Sequence, residues 1–197
     1  MARGRPRAFD KDQALDRALH VFWRKGYEGT SLPDLTRAMG INRPSLYAAF
    51  GNKEALFRQA VERYLAGPAA HVRAALQAPT AREVVAQLLH GSIDLATDQG
   101  NPRGCFLVQA ALACGDEGQA VRGELAQRRA AGETALRERF TRAVAEGDLP
   151  PGVDPADLAR FVTVVAHGLA VQAASGATRA ELQRVVALFL ERWPGRK

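Results

Sequence analysis

Arg43, Ser45 and Tyr47 stand close together at the opening of a short segment introduced by Asn42, and each carries a group that can reach a polar surface. A guanidinium in that place can donate two parallel bonds to a guanine edge. A hydroxyl or phenol can contact a base or a phosphate, and the ring of Pro44 can pack on a thymine methyl. Thr30 and Ser31 put two more hydroxyls at another helix start, where backbone amides attract phosphate, and Lys53 opens the helix that follows. Ahead of all these, Arg3 and Arg5 lie in the run Arg3-Gly4-Arg5-Pro6-Arg7. Such a narrow cationic arm suits the minor groove of A·T-rich DNA, and it equally suits a solvated tail.

These side chains need a scaffold, and the spacing of apolar residues predicts an all-α one. Asp10, with Gln13 three residues on, reads as an N-cap with a variant capping box ahead of Leu15, Ala18, Leu19 and Phe22; the helix stops near Gly26. Ser31 and Asp34 open a second, short helix through Leu35, Ala38 and Met39, ended by Gly40. Asn42 caps a third to Phe50-Gly51, and Asn52 caps a longer fourth that Gly67-Pro68 interrupts. Further helices are expected near 80–97, 104–114, 117–146, 154–174 and 178–193, separated by Gly- and Pro-rich breaks.

The two short helices around Met39-Gly40-Ile41 have helix-turn-helix spacing, with Leu35, Ala38, Ile41 and Leu46 available to pack them together. A plain packing hairpin has the same spacing. The charge distribution separates the two readings: residues 1–58 hold 11 Lys/Arg against 6 Asp/Glu, whereas 59–197 hold 16 against 15. A basic surplus confined to one end is the electrostatic footprint of a polyanion binder.

Other function classes fit poorly. No zinc-protease, nucleophile-elbow or phosphate-loop motif is present, so no catalytic residue, metal or cofactor is expected. His90 and Asp94 share a helical face but lack a visible third ligand. Two cysteines make no disulfide framework, and no apolar run reaches the roughly 18 to 20 residues that span a bilayer; a soluble cytoplasmic protein without membrane attachment is expected. A helical protein that uses its basic arm on anionic lipid is the remaining alternative.

The residue pattern from Ala18 to Leu56 resembles the tetracycline-repressor (TetR) family of bacterial regulators. The match is carried by Ala18-Leu19-His20-Val21-Phe22, Gly26-Tyr27-Glu28-Gly29-Thr30-Ser31, Leu35-Thr36-Arg37-Ala38-Met39-Gly40-Ile41 and Ser45-Leu46-Tyr47-Ala48-Ala49-Phe50-Gly51-Asn52-Lys53-Glu54-Ala55-Leu56. The resemblance implies a three-helix DNA-binding domain over 1–52 and a larger helical domain over 53–197 for effector binding and dimerisation. It also implies a homodimer on a palindromic double-stranded DNA operator, usually repressing, released by a small molecule of unknown identity. At matching positions it marks Thr30, Arg43, Ser45, Tyr47 and Lys53 as DNA contacts. Pro44 and Ala48 depart from common family residues, so base preference does not transfer.

Candidate residues beyond the DNA-binding part follow from chemistry and helical spacing. His90, Ile93, Phe106, Gln109, Phe140 and His167 can line a pocket with apolar walls and a few polar handles, or serve as core. Leu158, Phe161, Val162, Val165 and Leu169, with Val185, Phe189 and Trp193, offer more apolar surface than one core-facing stripe needs and are expected at a dimer interface. Cys105, at a helix start after Gly104, is either an electrophile or redox sensor or a small buried hydrophobe. In one straight helix Cys114 would face away from it, about 13 Å along the axis, which excludes a disulfide there.

Overall fold

The computed structural model describes residues 9–112 and 118–194, and every regular element among them is a helix. The first four are α1 (Lys11–Lys25), α2 (Leu32–Met39), α3 (Arg43–Phe50) and α4 (Lys53–Ala66). Their starts follow local polar chemistry. Asp10 accepts from the amides of Asp12 and Gln13, Asn42 from Ser45 and Asn52 from Ala55. Ser31 and Asp34 form a complete capping box. The box expected at Asp10 is only half formed, because the Gln13 side chain turns along the helix and accepts from Arg17 at 2.9 Å.

Between α2 and α3 the chain reverses at Gly40, whose φ of 69° and ψ of 30° lie in the left-handed region where a Cβ is costly. Leu35 and Leu46 are completely buried on either side of this turn, so two short helices with little intrinsic stability are locked together by packing.

The remaining helices are α5 (Ala70–Ala75), α6 (Ala81–Thr97), α7 (Phe106–Leu112), α8 (Gln119–Ala145), α9 (Pro155–Ala174) and α10 (Arg179–Glu191). The Thr80–Glu83 and Thr178–Glu181 capping boxes start α6 and α10, and Asp154 caps α9. The Gly67-Pro68 break leaves α5 six residues long without a side-chain cap. The turn after α5 is held from another direction. Buried Arg139 of α8 donates to the Ala78 and Pro79 carbonyls at 3.0 and 2.8 Å, giving a charged group taken out of water at least part of its hydrogen bonding.

Burial does not divide at residue 52. One core joins α1–α4 to Phe106 and Ala110 of α7 and to Val121 and Leu125 of α8; the other gathers α6, α9, α10 and the later part of α8. Phe106 is the deepest intrusion. Its ring lies 5.4 Å from Phe57, 5.5 Å from Tyr64 and 6.3 Å from Trp23, with no exposed surface. Tilted and edge-to-face ring contacts add specific geometry to a large apolar burial. Arg58–Glu124 at 2.8 Å and Arg128–Glu62 also link α4 to α8, but partly exposed pairs of this kind contribute little beside the buried rings.

Truncating this ring is expected to be costly. Phe106→Ala should lower unfolding stability by about 3–5 kcal/mol, read from urea midpoints, and Phe106→Leu should lower it less; an unaltered midpoint for Phe106→Ala would remove the bridge role.

Candidate nucleic-acid interface and internal cavity

The outer face of α3 is polar because its inner face is fully used. Leu46 and Phe50 point into the core, while Arg43, Pro44, Tyr47 and Ala48 are exposed. Arg43 and Tyr47 are one helical turn apart. The guanidinium carbon stands 5.7 Å from the Tyr47 ring centroid, and Nη2 donates to the phenol oxygen at 3.4 Å. That loose contact restrains two long side chains on the same face without consuming all of the guanidinium's donors. Ser45 is half-buried, and its amide is occupied by the Asn42 cap.

The flanking candidates separate. Thr30 is fully buried, and its hydroxyl donates to the Gly26 carbonyl at 2.6 Å. It therefore closes the end of α1 and is not placed to meet a phosphate, a correction to the expectation. Ser31 is exposed but works within its capping box, donating to Asp34 at 2.8 Å. The ammonium of Lys25, then the hydroxyl and amide of Ser31, hold the Asp34 carboxyl down at about 2. Lys53 lies with its ammonium 4.4 Å from the Tyr27 ring centroid at the start of α4. Arg3 and Arg5 lie outside the described residues, as does Cys114.

Beside Cys105 and Leu107 lies a partly enclosed cavity of about 180 Å³, small beside the 300–1,000 Å³ that encloses drug-sized ligands. Leu88, Leu95 and Leu136 supply apolar wall, and His71, Cys105 and His167 are among its polar handles. Five of the six residues expected to line a pocket are elsewhere. His90 is exposed on α6; Ile93 and Phe140 are buried in the second core; Phe106 fills the first; and Gln109 donates to the Arg103 carbonyl. Only His167 of those six faces this cavity, because helical period, not residue type, decides which side of α6–α9 looks inward. Tyr64, His71, Ser92 and Thr163 were missed. Their one sequence signal is Gly91, an isolated glycine within α6, which in a helix interior points to close packing.

Cys105 is half-buried, and the Tyr64 hydroxyl donates to its sulfur at 3.3 Å. Burial chiefly, and then Cys105, raise the Tyr64 phenol well above its ordinary value, so it remains a donor. His71 and His167 are both shifted downward by burial; the nearby Arg129 charge adds to the effect at His167. Among the described residues no cluster of three or more His, Cys, Asp or Glu side chains could hold a metal.

The apolar residues expected at a dimer interface split between two sides of α9 and α10. Leu158, Val162, Leu169 and Trp193 are buried within the subunit, Trp193 against Phe140 and Phe189, and so are corrected to core. Val165 and Phe189 are partly buried, whereas Phe161 and Val185 are exposed, joined on the outer surface by Val164, Val171 and Leu188. Contiguous exposed aliphatic and aromatic groups of this kind mark an interaction surface.

Comparisons with known proteins agree with this architecture. Residues 14–60 match the family described as bacterial regulatory proteins, tetR family, and residues 79–189 match the tetracyclin repressor-like C-terminal domain. The chain belongs to the TetR family. Within that family it is 34% identical over 195 residues to the HTH-type transcriptional repressor ComR of Escherichia coli (strain K12), covering 98% of this chain and 93% of ComR. The structure of a cysteine mutant of the TetR family regulator CifR, complexed with 26-base-pair double-strand operator DNA, is 48% identical. It superposes with a TM-score of 0.92 over 96% of this chain and 100% of that one. A TetR transcriptional regulator of Rhodococcus sp. RHA1 is 43% identical, with a TM-score of 0.65 over 93% of this chain and 98% of that one. This TetR-family chain is accordingly a DNA-binding transcriptional regulator and not an enzyme. No helix among the described residues is long and apolar enough to cross a membrane.

The two half-buried histidines give the regulator a pH signature. Their folded-state values lie below the ordinary 6.5, so the unfolded chain takes up protons first, and stability falls as pH drops through about 6.5. Urea midpoints should therefore decline between pH 7.5 and 5.5, and replacing both His71 and His167 by Gln should flatten the decline; an equally steep decline in the double variant would refute the assignment.

Proposed function

We propose that this TetR-family regulator is a repressor that binds a palindromic operator as a homodimer and is released when a small molecule occupies the internal cavity. The observation that carries the reading is the Arg43–Tyr47 pair on the exposed face of a short helix whose other face is locked into the core. Arg43 reads a base edge, with Tyr47, Ser45 and Pro44 beside it, while Ser31 and Lys53 take flanking phosphates; the cytoplasm, where the operator lies, is the place of action. One such helix reads few base pairs, and two-fold pairing sets two of them about one DNA turn apart. Phe161, Val164, Val171, Val185 and Leu188 supply the pairing surface. In relatives, ComR is named a repressor and CifR has been captured with operator DNA, which supports the same direction for this chain.

Release needs a ligand that prefers the non-binding arrangement, since equal affinity for both states moves neither population. The cavity is suited to this because its wall residue Cys105 is covalently next to Phe106, which stands in the core of the DNA-binding helices. Cys105 is also the residue through which an electrophile would act, its sulfur lying on the cavity wall. A thiolate attack on an alkylating agent forms the S–C bond and expels the leaving group, fixing a substituent in that space.

Genomic fragments retained by the protein should share a palindrome bound by two chains. Arg43→Ala with Tyr47→Ala should weaken that binding about 10- to 100-fold per lost base contact at fixed salt. Phe161→Asp with Leu188→Asp should leave a monomer that fails to hold the full site. Retention that depends on salt but not on sequence would overturn the reading.

The electrophile route has its own check. Iodoacetamide should release operator from the unmodified protein and leave the complex of Cys105→Ser intact; equal release from both would exclude Cys105 as the sensor.

A further inference from the structure

The cavity has a candidate door, formed by the imidazole ring of His71 beside the side chain of Leu95. His71 lines the internal cavity and also a broad polar groove on the outside of the subunit, bounded by Asp94, Asp98, Arg103 and Arg179. Its ring presses against Gly91 so closely that a Cβ at that position would lie 2.5 Å from Cδ2. A glycine inside a helix costs about 1 kcal/mol relative to alanine, so its place in α6 has a packing reason, and the ring is what fills the space.

Packing holds the ring, and its hydrogen bonds are long. Nδ1 lies 3.4 Å from the Pro68 carbonyl oxygen and Nε2 lies 3.4 Å from the Ser92 hydroxyl, both at the outer limit of hydrogen bonding. It rides on α5, six residues long, uncapped by any side chain and preceded by the Gly67-Pro68 break. Short helices without caps open at lower free-energy cost than long capped ones. A second wall, at Arg129 and His167, separates the cavity from the surface near Val165, Val171 and Val185. The proposed dimer would cover that side, whereas the groove outside His71 is lined by none of the exposed apolar residues Phe161, Val164, Val171, Val185 and Leu188.

We infer that His71 is the gate through which small uncharged molecules enter the cavity and reach Cys105. The inference rests on the effector-cavity reading above. The wall charges have their own partners: Arg128 with Glu62 and Glu124, Glu133 with Arg160, and Arg129 donating to the Leu107 carbonyl. Burial keeps the ring at the gate in its neutral form. An entering molecule thus passes an uncharged ring into a space of about 180 Å³ whose ionic groups are already engaged.

Cys105, another residue of the cavity wall, serves as a reporter. Three reagents with one warhead distinguish size from charge: iodoacetamide, iodoacetate and biotin-linked iodoacetamide, each rate normalised to that with N-acetylcysteine. Alkylation of the full chain is followed by mass spectrometry of the Cys105 peptide, with melting curves to confirm the fold. The unmodified protein should react well with iodoacetamide and poorly with the other two. His71→Ala should raise the rate with the bulky reagent by about tenfold or more while changing the iodoacetamide rate little, and Thr163→Ala, on another wall, should leave the ratio alone. The inference is overturned if His71→Ala preserves the size discrimination, or if His167→Ala abolishes it instead. A folded protein whose Cys105 resists iodoacetamide in every variant would overturn the cavity reading itself, whereas ready labelling without discrimination would overturn only the gate.

Discussion

Phe106 is the contact on which the arrangement of this regulator depends. It comes from the later part of the chain, yet it is buried among Trp23, Phe57 and Tyr64. Without it the DNA-binding helices would have a thinner core, and Cys105 would be tied to them chiefly by the Tyr64 hydroxyl. With it, the backbone at Cys105 cannot shift freely while the aromatic group stays packed, since close-packed interiors move between discrete arrangements and do not deform smoothly. The cavity wall and the core of the reading head are therefore parts of one packed body.

That body also explains why α4 has two duties. Leu56, Phe57, Val61 and Tyr64 complete the first core, and Tyr64 turns its hydroxyl towards Cys105 on the cavity wall. Arg58 and Glu62 on the same helix meet Glu124 and Arg128 of α8. The 27 residues of α8 run from the first core at Val121 and Leu125 to the second at Leu136 and Phe140, about 40 Å if straight. A displacement of α8 thus reaches both cores together.

The helix boundaries were legible in the sequence because a cap is local: Ser31 with Asp34, Thr80 with Glu83 and Asn42 alone each state where a helix starts within three residues. The exposed face of α3 was legible for the same reason, since Leu46 and Phe50 leave only one side for Arg43 and Tyr47. The cavity was not. Its wall draws on α4, α5, α6, α7, α8 and α9, so membership depends on how those helices rotate against each other, and apolar or aromatic type led to Ile93 and Phe140, which are core. Thr30 misled because a hydroxyl beside a helix start can serve a phosphate or its own backbone, and burial chose the backbone. Val162 and Phe161 show the same problem on α9: adjacent residues of similar character, one buried and the other exposed, separated by 100° of rotation that composition does not encode.

On α3 the duties of folding and of recognition fall on different side chains. Leu46 and Phe50 hold the helix, Gly40 and Asn42 set its entry, and Arg43, Pro44, Tyr47 and Ala48 face outward with little burial to lose. Substitutions at those outward positions cost the fold little, since surface changes away from packing and caps are usually worth within about ±0.5 kcal/mol. On the proposed function, the operator a lineage recognises can thus drift or be redesigned at four positions while the scaffold packed around Phe106 is inherited unchanged. The separation is a structural basis for evolvability: descendants can acquire new genes to control without first acquiring a new way to fold.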